Sequence, residues 1–256
     1  MIDVHCHLEY MPQEEVLSEA TKHMEALITS VAKISDAEPI LELHKKYINF
    51  VYVSLGLHPS HLGESTHSEI NDYLDYIRHN QNNIVAVGET GLDYHHITDK
   101  KEIEESKNVF ALFIRLAREL KKPIVIHLRN GENKEMNAFQ DCWDILEREK
   151  AKNVIIHCFS GNEQDLRLCL DRGYWISFAT IICKSEKHQR LAKKTPLDRM
   201  LLETDSPWLD PYSRDLVNRP WKIEESAEII AKLHKTTKDK ILVQTAKNVK
   251  KVFGIL

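Results

Sequence analysis

The chain alternates short apolar runs with amphipathic helical segments about eight times along its 256 residues. The runs within residues 50–57 and 153–157 are apolar instead of alternating with polar residues, which is typical of parallel strands covered by helices. Helical segments follow such runs, including residues 100–120, with an apolar face, and residues 134–149. This order predicts a single (β/α)8 TIM barrel domain over residues 1–256, with an extra C-terminal helix at 238–253. An open, doubly wound sheet is the alternative.

The overall composition narrows the class of protein. A net charge of −4 provides no strong long-range attraction to nucleic acid, although bound cations would add positive charge that this count omits. The five cysteines include no CxxC pair, which argues against a disulfide framework or a zinc ribbon. The sequence has no signal segment and no apolar run near the ~20 residues that span a bilayer. We therefore expect a cytoplasmic protein without membrane contact.

Side chains that commonly bind metals recur at the ends of the predicted strands. His5 and His7 are two residues apart on the first strand, so their side chains should point to the same side. Active sites of such barrels lie at the carboxyl ends of the strands. Each residue alone has an ordinary structural explanation, but the whole set at matching strand ends predicts a metal centre. The candidates are His5, His7, Glu89, His127, His157 and Asp205.

Six short motifs surround these candidates, and together they cover the chain from end to end. The motifs occupy residues 3–8, 56–59, 88–94, 127–129, 157–161 and 202–207. In content, order and spacing the chain resembles the TatD-type metal-dependent deoxyribonucleases of the amidohydrolase-like superfamily. The resemblance implies a barrel, a divalent-metal centre and hydrolysis of phosphodiester bonds in DNA, often as a 3′-to-5′ exonuclease.

The resemblance also implies a division of the ligands. His5, His7 and Asp205 would hold one metal, His127 and His157 a second, and Glu89 would bridge the two. The chemistry agrees, because a carboxylate can share its two oxygens between cations whereas a neutral imidazole offers one lone pair. We expect two divalent cations, with magnesium or manganese in use and zinc possible.

Further residues are candidates for catalysis and substrate binding. Asp205, besides binding metal, is expected to take the proton of the attacking water, and Glu89 is the second catalytic residue. His58 and Arg129 would contact phosphate oxygens. The backbone N–H groups of Ser160 and Gly161 precede a predicted helix and would bind phosphate as well, and Trp208 would stack on a base. The expected substrate is single-stranded DNA or DNA 3′ ends; the oligomeric state stays open.

Strand alternation makes predictions for neighbouring residues too. Asp3 should share the face of His5 and His7 and accept their outer N–H groups. Cys6 and Cys158 should point to the opposite face and serve in packing.

Two other functions compete with this interpretation. The first is a hydrolase on the same scaffold that acts on an amide, a lactone or a phosphotriester, because a fold alone does not fix a substrate. The second is a non-catalytic metal-binding protein, against which the full ligand set argues.

Overall fold

The computed structural model describes residues 1–133 and 136–255. Eight parallel strands form one sheet in sequential order, which confirms the predicted barrel and excludes the doubly wound alternative. The strands are β1 Ile2–Cys6, β2 Ala26–Val31, β3 Val51–Leu55, β4 Ala86–Asp93, β5 Ile124–Arg129, β6 Val154–Ile156, β7 Trp175–Phe178 and β8 Met200–Leu202.

Helices connect the strands and surround the sheet. They are α1 Gln13–His23, α2 Ala37–Lys46, α3 His67–His79, α4 Lys100–Glu119, α5 Ala138–Arg148, α6 Glu163–Asp171, α7 Glu186–Lys194, α8 Ile223–Leu233 and α9 Lys238–Phe253. The start at residue 134 predicted for the fifth helix lies outside the described residues, and α5 begins at Ala138. No helix in the described part of the chain combines the length and apolarity needed to cross a membrane.

The apolar strand residues divide between two buried clusters. The larger cluster packs the outer faces of the strands against the surrounding helices. The smaller one takes residues from all eight strands, among them Val4, Ile28, Val125 and Leu201. Because all eight strands meet only in the barrel interior, this second cluster is the filling of the barrel, as expected for strands that are apolar on both faces.

The C-terminal helix α9 closes the amino-terminal end of the barrel. Val249 and Phe253 belong to the interior cluster together with Ile2 at the start of β1. The Asn248 side chain donates hydrogen bonds to the carbonyl of Met200 at the start of β8 and to that of Leu197. The extra helix predicted from the sequence is therefore part of the barrel core.

Two valines of α9 offer a matched test of this closure. Val249 is fully buried and Val243 is 70% exposed. Val249→Ala should lower the free energy of unfolding by about 2 kcal/mol, because it removes two buried carbon atoms and leaves a cavity. Val243→Ala should change it by less than about 0.5 kcal/mol. Urea denaturation measures both, and equal effects would contradict the assignment of α9 to the core.

Candidate metal centre

An irregularity in β1 turns the two histidines of the first motif inward. The pairing of β1 with β2 shifts between Asp3 and Cys6, where β1 has one residue more than β2. Such a bulge changes the alternation of side chains. Because of the bulge, the consecutive residues Val4 and His5 both face the inside of the barrel. Val4 lies in the interior cluster, and His5 and His7 face the cavity above it. Cys6 packs on the outside, where its thiol donates to the carbonyl of Ile28.

A second irregularity places Glu89. The pairing of β4 with β5 shifts between Val87 and Thr90, so Glu89 lies inside a bulged strand. The sequence had instead suggested a position at the end of the strand. The glycines beside it allow β4 to approach β5 closely. A Cβ atom on Gly91 would lie 2.1 Å from the carbonyl oxygen of His127, and Gly91 has a φ of +146°, a conformation that other residues rarely adopt.

The seam between β1 and the end of β8 positions Asp205. The Asp205 backbone N–H donates to the His5 carbonyl at 2.9 Å, and the His7 N–H donates to the Ser206 carbonyl at 2.8 Å. Asp3 reinforces the seam by accepting the Thr204 N–H at 3.0 Å and the Thr204 hydroxyl at 2.5 Å. The expectation that Asp3 accepts the outer N–H groups of the two histidines is thus wrong, because the bulge in β1 separates its direction from theirs.

The donor atoms of the predicted ligands converge at the carboxyl ends of the strands. His5 Nε2 lies 3.1 Å from His7 Nε2 and 3.2 Å from Glu89 Oε2. Asp205 Oδ1 lies 3.5 Å from His7 Nε2. On the other side of the cavity, Glu89 Oε1 lies 2.9 Å from His127 Nδ1. The same oxygen lies 3.5 Å from Nε2 of His157, which is also among the predicted ligands.

Three-residue groups suitable for a metal follow from these distances. One group consists of His5, His7 and Asp205, as predicted. Glu89 belongs to two further groups. One consists of His5, Glu89 and His157, and the other consists of His58, Glu89 and His127. The structure therefore brings all six predicted ligands into one cluster, in which His127 and His157 meet through the carboxylate of Glu89.

Carboxylates outside the cluster determine which ring nitrogen of each histidine carries a proton. Glu9 lies 3.1 Å from His7 Nδ1, Asp93 lies 3.0 Å from His127 Nε2, and Glu203 lies 2.9 Å from His157 Nδ1. Glu9 and Asp93 meet hydrogen-bond geometry with their histidines, so the lone pair of a neutral His7 or His127 is left on the nitrogen that faces the cavity. Glu203 contacts His157 Nδ1 as an ion pair, without hydrogen-bond geometry. The hydroxyl of Ser30 contacts the outer nitrogen of His5 at 3.2 Å.

This donor set fits divalent cations. When the imidazoles are neutral and carry their proton on the outer nitrogen, two nitrogen lone pairs face one another across 3.1 Å between His5 and His7, and a nitrogen lone pair faces a carboxylate oxygen across 2.9 Å between His127 and Glu89. Such acceptor pairs repel unless positive charge lies between them. Imidazole nitrogens with carboxylate oxygens are the ligands that transition-metal ions prefer. The arrangement is that of a metal site.

The pKa values respond to the same crowding of charge. Burial lowers the pKa of His127, but its hydrogen bonds to Asp93 and Glu89 outweigh burial and raise the pKa to about 9. Burial also lowers the pKa of His157, but the negative charges of Glu203 and Glu89 outweigh burial and raise this pKa to about 9. The pKa of Glu89 is held well below its usual range, because the surrounding histidines outweigh its burial.

His58 also borders the centre, as a member of one of these three-residue groups, but its ring is held differently from those of the four histidines predicted as ligands. The Ser60 N–H donates to His58 Nδ1 at 3.1 Å, so the neutral ring carries its proton on Nε2, which lies 3.7 Å from Glu89 Oε1. Burial and the neighbouring His127 lower the pKa of His58 to about 3. Its side chain is thus a neutral hydrogen-bond donor directed at the centre.

A groove of about 570 Å³ extends from the cluster. Arg129, Ser160 and Gly161 line it, whereas Trp208 lies at the opposite rim and packs edge-on against His7 at 4.9 Å between ring centres. Cys158 also lines the groove, which corrects its assignment as a packing residue on the far face. β6 ends at Ile156 and Cys158 has a φ of +42°, so the alternation of side chains along a strand no longer applies at Cys158.

The carboxylates that contact the outer nitrogens of the histidines were not predicted from the sequence. Glu9, Asp93 and Glu203 lie within four residues of a ligand in the sequence, or inside a motif that contains one. That proximity was the available signal, since metal-binding histidines usually donate their outer N–H to a carboxylate. Asp3 satisfied the same criterion but lies elsewhere, so the signal alone was ambiguous.

An eight-stranded parallel barrel with a histidine and carboxylate cluster at the carboxyl ends of its strands defines a metal-dependent hydrolase. Comparison with known proteins supports this class of protein. The sequence model of the family described as TatD related DNase matches residues 2–254. The chain belongs to this family, which confirms the resemblance seen in its motifs, and it is a metal-dependent hydrolase.

Individual relatives match along almost their whole length. An uncharacterized metal-dependent hydrolase of Methanocaldococcus jannaschii is 32% identical, with 98% of this chain and 96% of the relative covered. The human deoxyribonuclease TATDN3 is 30% identical, with 99% of this chain and 94% of the relative covered. The crystal structure of the TatD homologue YJJV of Escherichia coli superposes with a TM-score of 0.89 at 24% identity, covering 100% of this chain and 98% of that one.

Metal binding should depend on pH in a defined direction. Metal ligation needs neutral imidazoles, whereas the pKa of His127 and that of His157 are raised to about 9 in the metal-free protein. The apparent affinity for Mn²⁺ should therefore rise as the pH approaches 9, and binding at neutral pH should release protons. Calorimetry in two buffers of different ionisation enthalpy measures the release. An affinity that is constant from neutral pH to pH 9 would contradict this assignment.

Glu203 should matter for metal affinity although it is not a ligand. Its Oε1 lies 2.9 Å from His157 Nδ1 and accepts the Cys158 N–H at 2.7 Å, and its Oε2 accepts the Ser177 hydroxyl at 2.5 Å. Glu203→Gln keeps the shape but removes the charge that orients and polarises the imidazole. We expect Mn²⁺ affinity to fall about 10- to 100-fold, as measured by calorimetry. Exposed Glu186→Gln on α7 is the control and should bind normally.

Proposed function

We propose that this protein is a divalent-metal-dependent deoxyribonuclease that acts as a 3′-to-5′ exonuclease on single-stranded DNA or DNA 3′ ends. The observation that carries the proposal is the juxtaposition of the ligand cluster with a groove lined by an arginine without an ion pair. The family and the human relative named deoxyribonuclease support DNA as the substrate. The 3′-to-5′ direction rests on the resemblance of the motifs.

The cluster is suited to two cations. His5, His7 and Asp205 would hold one, His127 and His157 would hold the other, and Glu89 would bridge them. Magnesium or manganese are the ions proposed in use, and the four imidazoles also accept zinc. Two such cations would supply Lewis acidity toward the phosphate and lower the pKa of the attacking water.

Asp205 is placed to act as the general base. Its Oδ1 faces the ligand cluster, 3.5 Å from His7 Nε2, which leaves Oδ2 to take the proton of the attacking water. The Asp205 side chain is 17% exposed, compared with 3% for Glu89. Asp205 is therefore the carboxylate that a water molecule entering from the groove can reach, while Glu89 remains committed to the cluster.

Three kinds of donor are available for the phosphate oxygens. His58 offers a neutral N–H next to the cluster. The Arg129 side chain has no hydrogen bond or ion pair in the described part of the chain, so its planar fork is free for bidentate binding. The backbone N–H groups of Ser160 and Gly161 likewise have no partner among the described residues, and they immediately precede α6.

Aromatic side chains at the opposite rim favour a single strand. The ring of Trp208 is 48% exposed and that of Tyr10 is 40% exposed, and their centres lie 5.3 Å apart. Exposed rings of this kind stack on unpaired bases, with about 1–3 kcal/mol per base. A base inside a duplex cannot reach them without unpairing, which costs a few kcal/mol. We therefore propose that unpaired ends are preferred to intact duplex.

An activity matrix of metals against substrates tests the proposal. Purified protein would be supplied with Mg²⁺, Mn²⁺ or Zn²⁺ and with 5′-labelled single strands, duplexes, and a panel of amides, lactones and phosphotriesters. We expect a ladder of products shortened from the 3′ end, with single strands cleaved faster than duplex. Hydrolysis of a lactone, amide or phosphotriester without cleavage of DNA would instead establish the rival hydrolase.

Asp205→Asn tests the assigned base. The variant retains the shape of the side chain and its backbone hydrogen bond to His5 but cannot accept the proton, so turnover should fall at least about a hundredfold. Thermal unfolding followed by circular dichroism should show an intact fold. The exposed Asp198→Asn variant serves as control and should keep full activity. Normal turnover by Asp205→Asn would end this assignment.

A further inference from the structure

The groove continues past the metal centre to α7, where the sequence analysis placed no functional residue. Besides the ligands His127, His157 and Asp205, it is lined by Arg129 from the end of β5 and by Lys187 from the first turn of α7. Two cationic side chains thus share one cavity with the reaction centre.

Lys187 is held in the groove without an acidic partner. Its ammonium donates a hydrogen bond to the backbone carbonyl of Ser160 at 2.5 Å, and no carboxylate forms an ion pair with it in the described ranges of the chain. Partial burial lowers the pKa of Lys187, which the more distant Asp165 opposes. The residue as a whole is exposed, and an ammonium whose one protein contact is a carbonyl gains stability from an anion.

The acidic side chains that line the groove form no ion pair with Arg129 or Lys187 in the described part of the chain. Asp205 belongs to the metal centre. Asp165 is the other carboxylate that lines the groove, and it accepts the N–H of Asn162 at 2.9 Å and the indole N–H of Trp143 at 3.4 Å. Arg129 and Lys187 are thus cationic side chains at the wall of the groove without an ion-pair partner among the described residues.

We propose that Lys187 forms a second phosphate subsite in the groove that Arg129 also lines, and that this subsite binds the phosphodiester next to the one being cleaved. The inference rests on the proposed nuclease function and deepens it. It identifies the substrate class as oligonucleotides that carry at least two phosphodiesters, since the metal centre holds one and this subsite holds the next. A dinucleotide lacks the second phosphodiester and cannot use Lys187.

Chain length provides the test. The kcat/KM values of wild type and Lys187→Gln would be compared on thymidine tetranucleotide and on thymidine dinucleotide, which has one phosphodiester. The ratio of the tetranucleotide value to the dinucleotide value should fall about tenfold in the variant, the usual scale for one hydrogen bond to a charged group. Lys193→Gln, an exposed lysine of the same helix, is the matched control and should keep the wild-type ratio.

Salt dependence supplies a readout that a structural role of Lys187 would not change. Loss of one contact to a single-stranded phosphate should reduce the slope of log(kcat/KM) against log salt by about 0.7 for the tetranucleotide. Equal losses on both chain lengths, or values identical to those of Lys193→Gln, would overturn the subsite. If Lys187→Gln only relieves inhibition by inorganic phosphate, the site binds free phosphate and the proposal fails.

The failure of this inference can be separated from the failure of the proposed function. A wild-type protein that cleaves neither oligonucleotide with any of the three metals refutes the nuclease. A wild-type protein that cleaves both, with no length-dependent effect of Lys187→Gln, refutes only the subsite.

Discussion

The site depends on the closure of the barrel between its first and last strands. Asp3 on β1 accepts two hydrogen bonds from Thr204 across a separation of 201 residues, and the backbones of the segments that carry His5 and Asp205 are hydrogen-bonded directly. The two ends of the chain are thereby fixed relative to each other. Ligands from β1 and from the end of β8 meet because the barrel closes, so the same buried contacts that stabilise the fold position part of the metal centre.

Formal charge explains why the rest of the centre attracts cations. Five carboxylates surround the four ligand histidines, namely Glu9, Glu89, Asp93, Glu203 and Asp205. With neutral imidazoles, this set is strongly negative and largely buried, which is costly without compensation. The two divalent cations proposed here would offset most of that charge. The same carboxylates raise the pKa of His127 and of His157, so protons on these two rings would offset part of the charge when no cation is bound.

The sequence predicted the features that depend on local patterns. Apolar runs gave the order of strands and helices, and the bounds predicted for α9 match the observed ones, since Gly254 ends the helix in the left-handed conformation. The structure adds that Thr237 caps its start. The ligand set followed from the rule that barrel sites lie at strand ends. The bulges in β1 and β4 were not predictable from alternation, since pairing with neighbouring strands determines them. The errors at Asp3 and Cys158 both follow from assuming a regular strand where the backbone departs from one.

The mouth of the barrel is chemically asymmetric, and this asymmetry bears on what can bind there. Exposed aromatic rings lie beside His7, while Arg129 and Lys187 lie beyond His127 and His157. A nucleic acid strand also has two chemically distinct parts, stacking bases and charged phosphates, so a strand that uses both rims has a preferred orientation across the metals. With a net charge of −4 for the whole chain, long-range attraction contributes little. Under the proposed function, recognition of DNA would therefore rest on these short-range contacts, which a flexible unpaired end can satisfy more easily than a stacked duplex.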